Sequence, residues 1–335
     1  MKETFINPDT NPTGIEVSVI VPNYNYARYL PQRIESILNQ SYTGFELILL
    51  DDASTDNSVT VFEQYKENPH ITAIIVNEKN TGSPFCQWMK GIEQAKGKYI
   101  WIAEADDSAA PSFLKTCMEL IYRHPDAAIC YVGSHSMDGE GNINPHDINH
   151  WKKESYHQEY AYFDGKLFAE HNLYWRNYLI NASGILFRKE DALKLKDSPF
   201  LQFRYCGDWL FWFQIAMQGG GIIEIYKKLN YFRQHNNKLT TTSRRLGGGF
   251  AEDIKVVHYM EQALPHLDKY KKRLRHGMLY RKIKRLSAGQ ETKEQLFQLL
   301  SDELHADKAD YRLERRNQIL RLFLPSLTTW RRDRL

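Results

Sequence analysis

The chain predicts an α/β protein with a mostly parallel, doubly wound sheet flanked by helices and a C-terminal helical extension. Three observations carry this. Short apolar, β-rich runs alternate with stretches of helical periodicity through the first part of the chain. Each run ends in a polar loop, and in an open α/β sheet ligands bind beyond the carboxyl ends of the strands. From about Leu246 onward only helical spacing remains.

Residues 1–14 carry Pro8, Pro12 and Gly14 among polar residues and predict a loose lead-in. VSVIV (17–21) is the first strand, closed by Pro22-Asn23-Tyr24-Asn25-Tyr26. A helix with apolar Leu30, Ile34, Ile37 and Leu38 follows. FELILL (45–50) is the second strand and runs into Asp51-Asp52-Ala53-Ser54-Thr55-Asp56, where Asp56 can cap the next helix. ITAIIV (71–76) is the third, followed by Asn77 to Gly82 and a helix to about Ala95. YIWIA (99–103) is the fourth. After Pro111 come a helix, a strand near 127–132, and an ill-patterned stretch, 134–158, which reads as a mobile substrate loop. Strands at 185–187 and 229–237 bracket an aromatic helix that starts near Asp208. Helical spacing then recurs at 254–264, 274–286, 296–304 and 311–324. The expected division is a lead-in (1–14), an α/β domain (15–242) and a basic helical extension (243–335).

Composition narrows the function classes. The 335 residues include 20 Tyr, 16 Phe and 7 Trp, with a net charge of +3. Basic residues outnumber acidic ones roughly two to one after Asp268. Cys86, Cys117, Cys130 and Cys206 lack ligand-like spacing and read as reduced thiols of a cytoplasmic protein. The start of the chain is polar, with no apolar core of a signal peptide, and no run has the length to cross a bilayer. No Gly-x-Gly-x-x-Gly or Gly-Lys-Ser/Thr loop follows the first strand, which argues against dinucleotide and P-loop chemistry.

Glu104, Asp106 and Asp107 arrive where the fourth strand runs out. Carboxylates this close repel one another unless a cation sits among them, and hard divalent ions prefer oxygen ligands. One reading is a Mn²⁺ or Mg²⁺ site that presents a diphosphate; the other is an acidic turn before a helix. Asp208 likewise reads either as a plain helix cap or as a functional carboxylate at a helix start. The basic, amphipathic tail ends in Trp330-Arg331-Arg332 and suits an anionic membrane surface, a solvated face or a packed appendage. No recognition motif accompanies the charge, so nucleic acid is not an expected partner.

Six stretches occur in an order that resembles the family 2 inverting glycosyltransferases of the GT-A fold, bacterial surface-polysaccharide type, over about residues 15–240. They are VSVIVPNYNYARYL, ELILLDDASTDNS, AKGKYIWIAEADD, NASGILFRKE, GDWLFW and LNYFRQHNN. The resemblance implies a nucleotide-diphospho-sugar donor, UDP- or dTDP-linked, and inverting transfer of its sugar. The implied acceptor is a glycan or lipid-linked glycan in cell-envelope polysaccharide synthesis, at the inner face of the plasma membrane. It implies that Pro22, Asn23, Tyr24 and Asn25 line the base and ribose, and that Asp52 accepts the base imide N–H. Asp106 and Asp107 would hold metal and ribose, with Glu104 where the family often has Asp. Gly82 and Lys90 lie on the donor side, in a segment that departs from the usual Ala-Arg-Asn run. Ser183 and Gly184 would face the sugar and acceptor, Asp208 would be the general base, and Arg233 or His235 would reach the diphosphate or the metal. The rival classes are a sugar-nucleotidyltransferase, which would carry a Gly- and Lys/Arg-rich loop after strand one, and a non-catalytic nucleotide- or glycan-binding relative.

Overall fold

The computed structural model describes residues 3–6, 14–151, 155, 157–234 and 247–324. The first strands are β1 (Glu3–Ile6), β2 (Val17–Asn23), β3 (Phe45–Asp51), β4 (Ile71–Val76) and β5 (Tyr99–Ile102). They are followed by β6 (Ser108–Ala109), β7 (Ala127–Met137), β8 (Tyr160–Asp164), β9 (Ile185–Arg188) and β10 (Gly221–Arg233). All join one sheet in the order β1-β4-β3-β2-β5-β9-β7-β10-β6, with β8 on β10. Strands β4, β3, β2 and β5 run parallel, as does β7 with β10. β1, β9, β6 and β8 pair antiparallel with their neighbours. The sheet is therefore mostly parallel at its centre, as the alternating pattern predicts.

The central strands are buried along their whole length because both faces are covered. Val17, Val19 and Val21 join a core with Leu30, Ile34 and Ile37 of α1 (Leu30–Leu38) and Phe113, Leu114 and Cys117 of α4 (Phe113–Arg123). Ile20 faces the other way, toward α3 (Pro84–Gln94). A Cβ on Gly91 of that helix would come within 2.5 Å of Ile20, so glycine permits the close packing. Helix α2 (Ser58–Tyr65) connects β3 to β4.

Three expectations need correcting. The lead-in contains β1, which pairs with β4 through Glu3–Val76 to Ile6–Ala73. Of the stretch expected to be a loose loop, residues 134–149 are tied down; residues 152–154 and 156 lie outside the described residues. β7 continues to Met137, Asn149 exchanges two hydrogen bonds with the Ser134 backbone (2.8 and 3.0 Å), and the Asn144 N–H donates to Ser136 O at 2.7 Å. The last strand begins at Gly221, eight positions before the expected start at Leu229; positions 235–237 lie outside the described residues.

The chain divides into two compact units. The first holds residues 1–166, 179–204 and 214–235, and with them the sheet; the second gathers Leu167–Tyr178, Tyr205–Phe213 and the chain from residue 236 on. Between β8 and the last strand lie the short helices α5 (Gly165–Phe168) and α6 (Lys189–Leu193) and the aromatic α7 (Gly207–Met217). The second unit is built on α8 (Gly248–Ala263), α9 (Lys269–Arg285), α10 (Gln290–Leu304) and α11 (Lys308–Phe323). Asp268 caps α9, and Asp307 with Asp310 forms a capping box on α11. A Cβ on Gly277 would sit 2.3 Å from the Asp310 carbonyl, so these helices cross at backbone distance. Arg273 pairs with Asp310 (2.6 Å), Arg281 with Glu314 (3.1 Å), and Lys282 with Asp253 (3.1 Å). Part of the basic face is thus spent inside the unit. Among the described residues no helix is long and apolar enough to cross a membrane. All four cysteines are free thiols, with Cys117 and Cys130 buried.

Candidate active site

The loops after β2 and β3 are locked to each other. Asn23, buried at the end of β2, donates to Asp51 Oδ2 (2.8 Å) and Ser54 Oγ (3.2 Å). Asn25 has a left-handed backbone (φ 60°), which asparagine tolerates, and its Oδ1 accepts from the Thr55 N–H at 2.8 Å. Pro22 lies inside β2, opposite Leu50. Tyr24 is 45% exposed and leaves a ring face open to a ligand.

Asp52 is buried and heavily engaged. It accepts from Asn77 Nδ2 (2.7 Å), Gln87 Nε2 (2.8 Å), the Thr81 N–H (3.0 Å) and Thr81 Oγ1 (2.8 Å). A carboxylate offers about four lone-pair sites, so a base N–H has to compete with these partners. Three of the same residues line a cleft of about 320 Å³ together with Glu78, Lys79, Cys86 and Lys90. Lys90 donates to Asn77 Oδ1; burial lowers its pKa while Asp52 opposes the shift. Gly82 has φ +75° and open space around a would-be Cβ, so it is glycine for its backbone, not for room.

The loop after β5 gives its three carboxylates different surroundings. Asp107 is buried; it accepts from Ser183 Oγ (2.7 Å), Asn181 Nδ2 (2.9 Å) and the Arg233 N–H (2.8 Å). Glu104 accepts from Trp88 Nε1 at 2.9 Å. Burial first, then the charges of Asp106 and Asp107, push the Glu104 carboxyl up to about 8, so it holds a proton at neutral pH. Asp106 stays partly exposed. Among the described residues no group of three His, Cys, Asp or Glu side chains is placed to hold an ion. Beneath the loop, Arg33 is fully buried 4.8 Å over the Trp101 ring, with no hydrogen-bond partner for its guanidinium among the described residues. Burial lowers it to about 10 against the pull of Asp107, Glu104 and Asp106.

Ser183 ties this region together. It accepts from Trp101 Nε1 through its carbonyl (2.7 Å) and from the Glu104 N–H through Oγ (3.1 Å), besides donating to Asp107. Gly184 sits against Val132 O and Asn230, where a Cβ would be 3.4 Å from the carbonyl. Arg233 does not reach outward as expected. It is buried, donates to the carbonyls of Asp106 (2.7 Å), Asp138 (3.1 Å) and Gly139 (3.1 Å), and stacks 4.6 Å over Tyr29. His235 lies outside the described residues. Asn181, Asn230 and Gln32 enter the network without having been singled out. Asn181 opens a quoted motif, but its contact with Asp107 spans 74 positions and leaves no local signal.

In the second unit, Asp208 lies in the first turn of α7. Its Oδ2 accepts from Asn177 Nδ2 and its Oδ1 from the Trp209 N–H, both at 2.8 Å. Burial raises its pKa to about 6; these hydrogen bonds oppose the shift and the charges of Asp253 and Glu252 add to it.

A mostly parallel sheet, flanked by helices and with acidic loops at its strand ends, defines a GT-A-type α/β protein. The chain belongs to Glycosyl transferase family 2, whose model matches residues 18–192. Chondroitin synthase of Escherichia coli is 29% identical over 134 residues, 40% of this chain and 19% of that protein. The matches to the first curated relatives span 19–49% of those proteins' lengths. In fold, the chain is similar to TarS 1-349 of S. aureus, solved in complex with UDP-GlcNAc, at a TM-score of 0.57 and 16% identity over 90% of each chain. It is also similar to the mannosyltransferase PcManGT of Pyrobaculum calidifontis, solved with GDP-Man and Mn²⁺. There the TM-score is 0.52 at 16% identity, over 95% of this chain and 84% of that one.

Proposed function

We propose that the chain transfers a sugar from a UDP- or dTDP-linked donor to a hydroxyl of a glycan or lipid-linked glycan, with inversion, in bacterial surface-polysaccharide synthesis. The observation that carries the reading is Asp208, a carboxyl raised to about 6 and oriented by Asn177. A base with that affinity is ionised at neutral pH yet able to take a proton. The acceptor oxygen bonds to the anomeric carbon as that carbon's bond to the donor phosphate oxygen breaks. The electron pair leaves on the nucleoside diphosphate, and the acceptor proton passes to Asp208.

On the donor side, Tyr24 stacks the base beside the Asp52 cleft, and Pro22, Asn23 and Asn25 form the rigid floor. Lys90 lies where a phosphate would gain a cation. Asp106 suits a Mn²⁺ or Mg²⁺ ion. The loop carries a surplus of negative charge, and such ions are commonly held by one or two carboxylates plus substrate phosphates. When bound, the ion offsets charge developing on the leaving diphosphate. Asp107 holds the loop in shape, and Ser183 and Gly184 back it.

Asp208→Asn keeps the shape and one acceptor oxygen but removes the base. Transfer, measured as nucleoside diphosphate release across a panel of nucleotide-sugars with Mn²⁺, should fall roughly 10²–10⁴-fold with donor affinity unchanged. A fully active, folded variant rejects the reading, and wild type that binds donors without turnover is the non-catalytic relative.

A peripheral membrane contact belongs to the same proposal. Leu322 and Phe323 at the end of α11 are 80% and 77% exposed, and basic residues follow in the sequence. Flotation with anionic vesicles should show binding that weakens with salt; equal or no binding to neutral and anionic vesicles removes the membrane from the account.

A further inference from the structure

The turn that carries Asp208 is held by the helical extension. Glu252, near the start of α8, accepts from the backbone N–H groups of Tyr205 (2.7 Å) and Cys206 (2.8 Å). These residues lead directly into α7. The next residue, Asp253, accepts the Cys206 thiol at 3.4 Å and pairs with Lys282 of α9 at 3.1 Å. From the other side, buried Arg275 lies 5.3 Å over the Trp209 ring and donates Nε to Tyr174 O at 3.0 Å. Trp209 is fixed in turn through Nε1 to Leu173 O (2.7 Å), and its backbone N–H meets Asp208.

We propose that Glu252 and Asp253 are positioning residues for Asp208, fixing its turn and surrounding its carboxyl with negative charge, so that the C-terminal extension is part of the catalytic machinery. The inference rests on the reading of Asp208 as the base. A carboxylate at a helix N-terminus is stabilised in its charged form by the helix dipole and by N–H donors, which makes it a weak base. Two further carboxylates close by oppose that, because like charges disfavour ionisation. Among the described residues, the charged and titratable groups around Asp208 are Glu252 and Asp253 of α8 and the Cys206 thiol. Lys282 stands behind Asp253, and Arg275 behind Trp209. Glu252 alone combines the charge with a grip on the backbone of the turn. A residue that merely filled space would do neither.

The test is a carboxyl-¹³C NMR titration of the full chain, with the Asp208 resonance assigned by its loss in Asp208→Asn. Glu252→Gln keeps an acceptor for both N–H groups and removes the charge. It should lower the Asp208 midpoint by roughly 0.5–1 pH unit. Asp253→Asn should move it the same way with both N–H bonds to Glu252 in place, and it serves as the readout if Glu252→Gln does not fold. A midpoint that stays put in the folded variants overturns the proposal. If the midpoints move but Asp208→Asn retains full transfer, the base reading has failed while the electrostatic link stands. If Asp208→Asn is inactive and the midpoints do not move, the inference alone has failed.

Discussion

Asp51–Asp52 and Asp106–Asp107 are the same dipeptide at the ends of two strands that flank β2, and they are employed differently. In the first pair both carboxylates are buried and both are tied. Asp51 holds Asn23 and the Ser54 N–H (2.7 Å), and Asp52 holds Asn77, Thr81 and Gln87. In the second pair the work is divided: Asp107 is buried and gathers Ser183, Asn181 and the Arg233 N–H, whereas Asp106 remains partly exposed. Asp51, Asp52 and Asp107 thus hold loop residues through buried carboxylates, and Asp106 is the most exposed of the four.

The largest expected effect follows from removing the tied member of the divided pair. Asp107→Ala strands the buried Ser183 Oγ and Arg233 N–H donors and the part-buried Asn181 Nδ2, and an unsatisfied buried group costs about 1–3 kcal/mol. Denaturant unfolding should show a loss of about 3 kcal/mol or more, and a smaller loss for Asp106→Ala, whose side chain is partly exposed. Similar losses at both positions would erase the distinction.

Glu104 sharpens the comparison with a smaller effect. Its carboxyl is raised from 4.5 to about 8, so between those values the folded state holds the proton more tightly than the unfolded one. That contribution to stability is complete below pH 4.5 and disappears as pH rises through about 8. Glu104→Gln should match wild type near pH 5 and lose less stability between pH 6 and 9, read from urea midpoints across that range. Parallel pH profiles would mean that the carboxyl is ionised at neutral pH.

Much of this was legible in the sequence, for physical reasons that also explain what was not. The central strands announce themselves because both faces are buried and their residues are continuously apolar. The loop residues were found because strand ends gather there. Roles were harder. The partners of Asp107 lie 74, 76 and 126 positions away, and no local pattern encodes such contacts. The resemblance gave Arg233 or His235 a reach to the diphosphate or the metal, whereas here carbonyls of two loops and the Tyr29 ring take up Arg233. The first half of β10 escaped because Glu224, Lys227 and Lys228 interrupt its apolar run. Arg33 hides a buried charge on the apolar face of α1.

The central claim is that this protein binds a nucleoside diphosphate through an ion held at Asp106. Calorimetric titration with UDP, with Mn²⁺ and with excess chelator, tests it on wild type and Asp106→Asn. The account predicts binding by wild type that weakens at least tenfold in chelator, about 1.4 kcal/mol, and a variant whose weak binding ignores the metal. Equal UDP affinity with and without Mn²⁺ in wild type, or an unchanged metal dependence in Asp106→Asn, would contradict it.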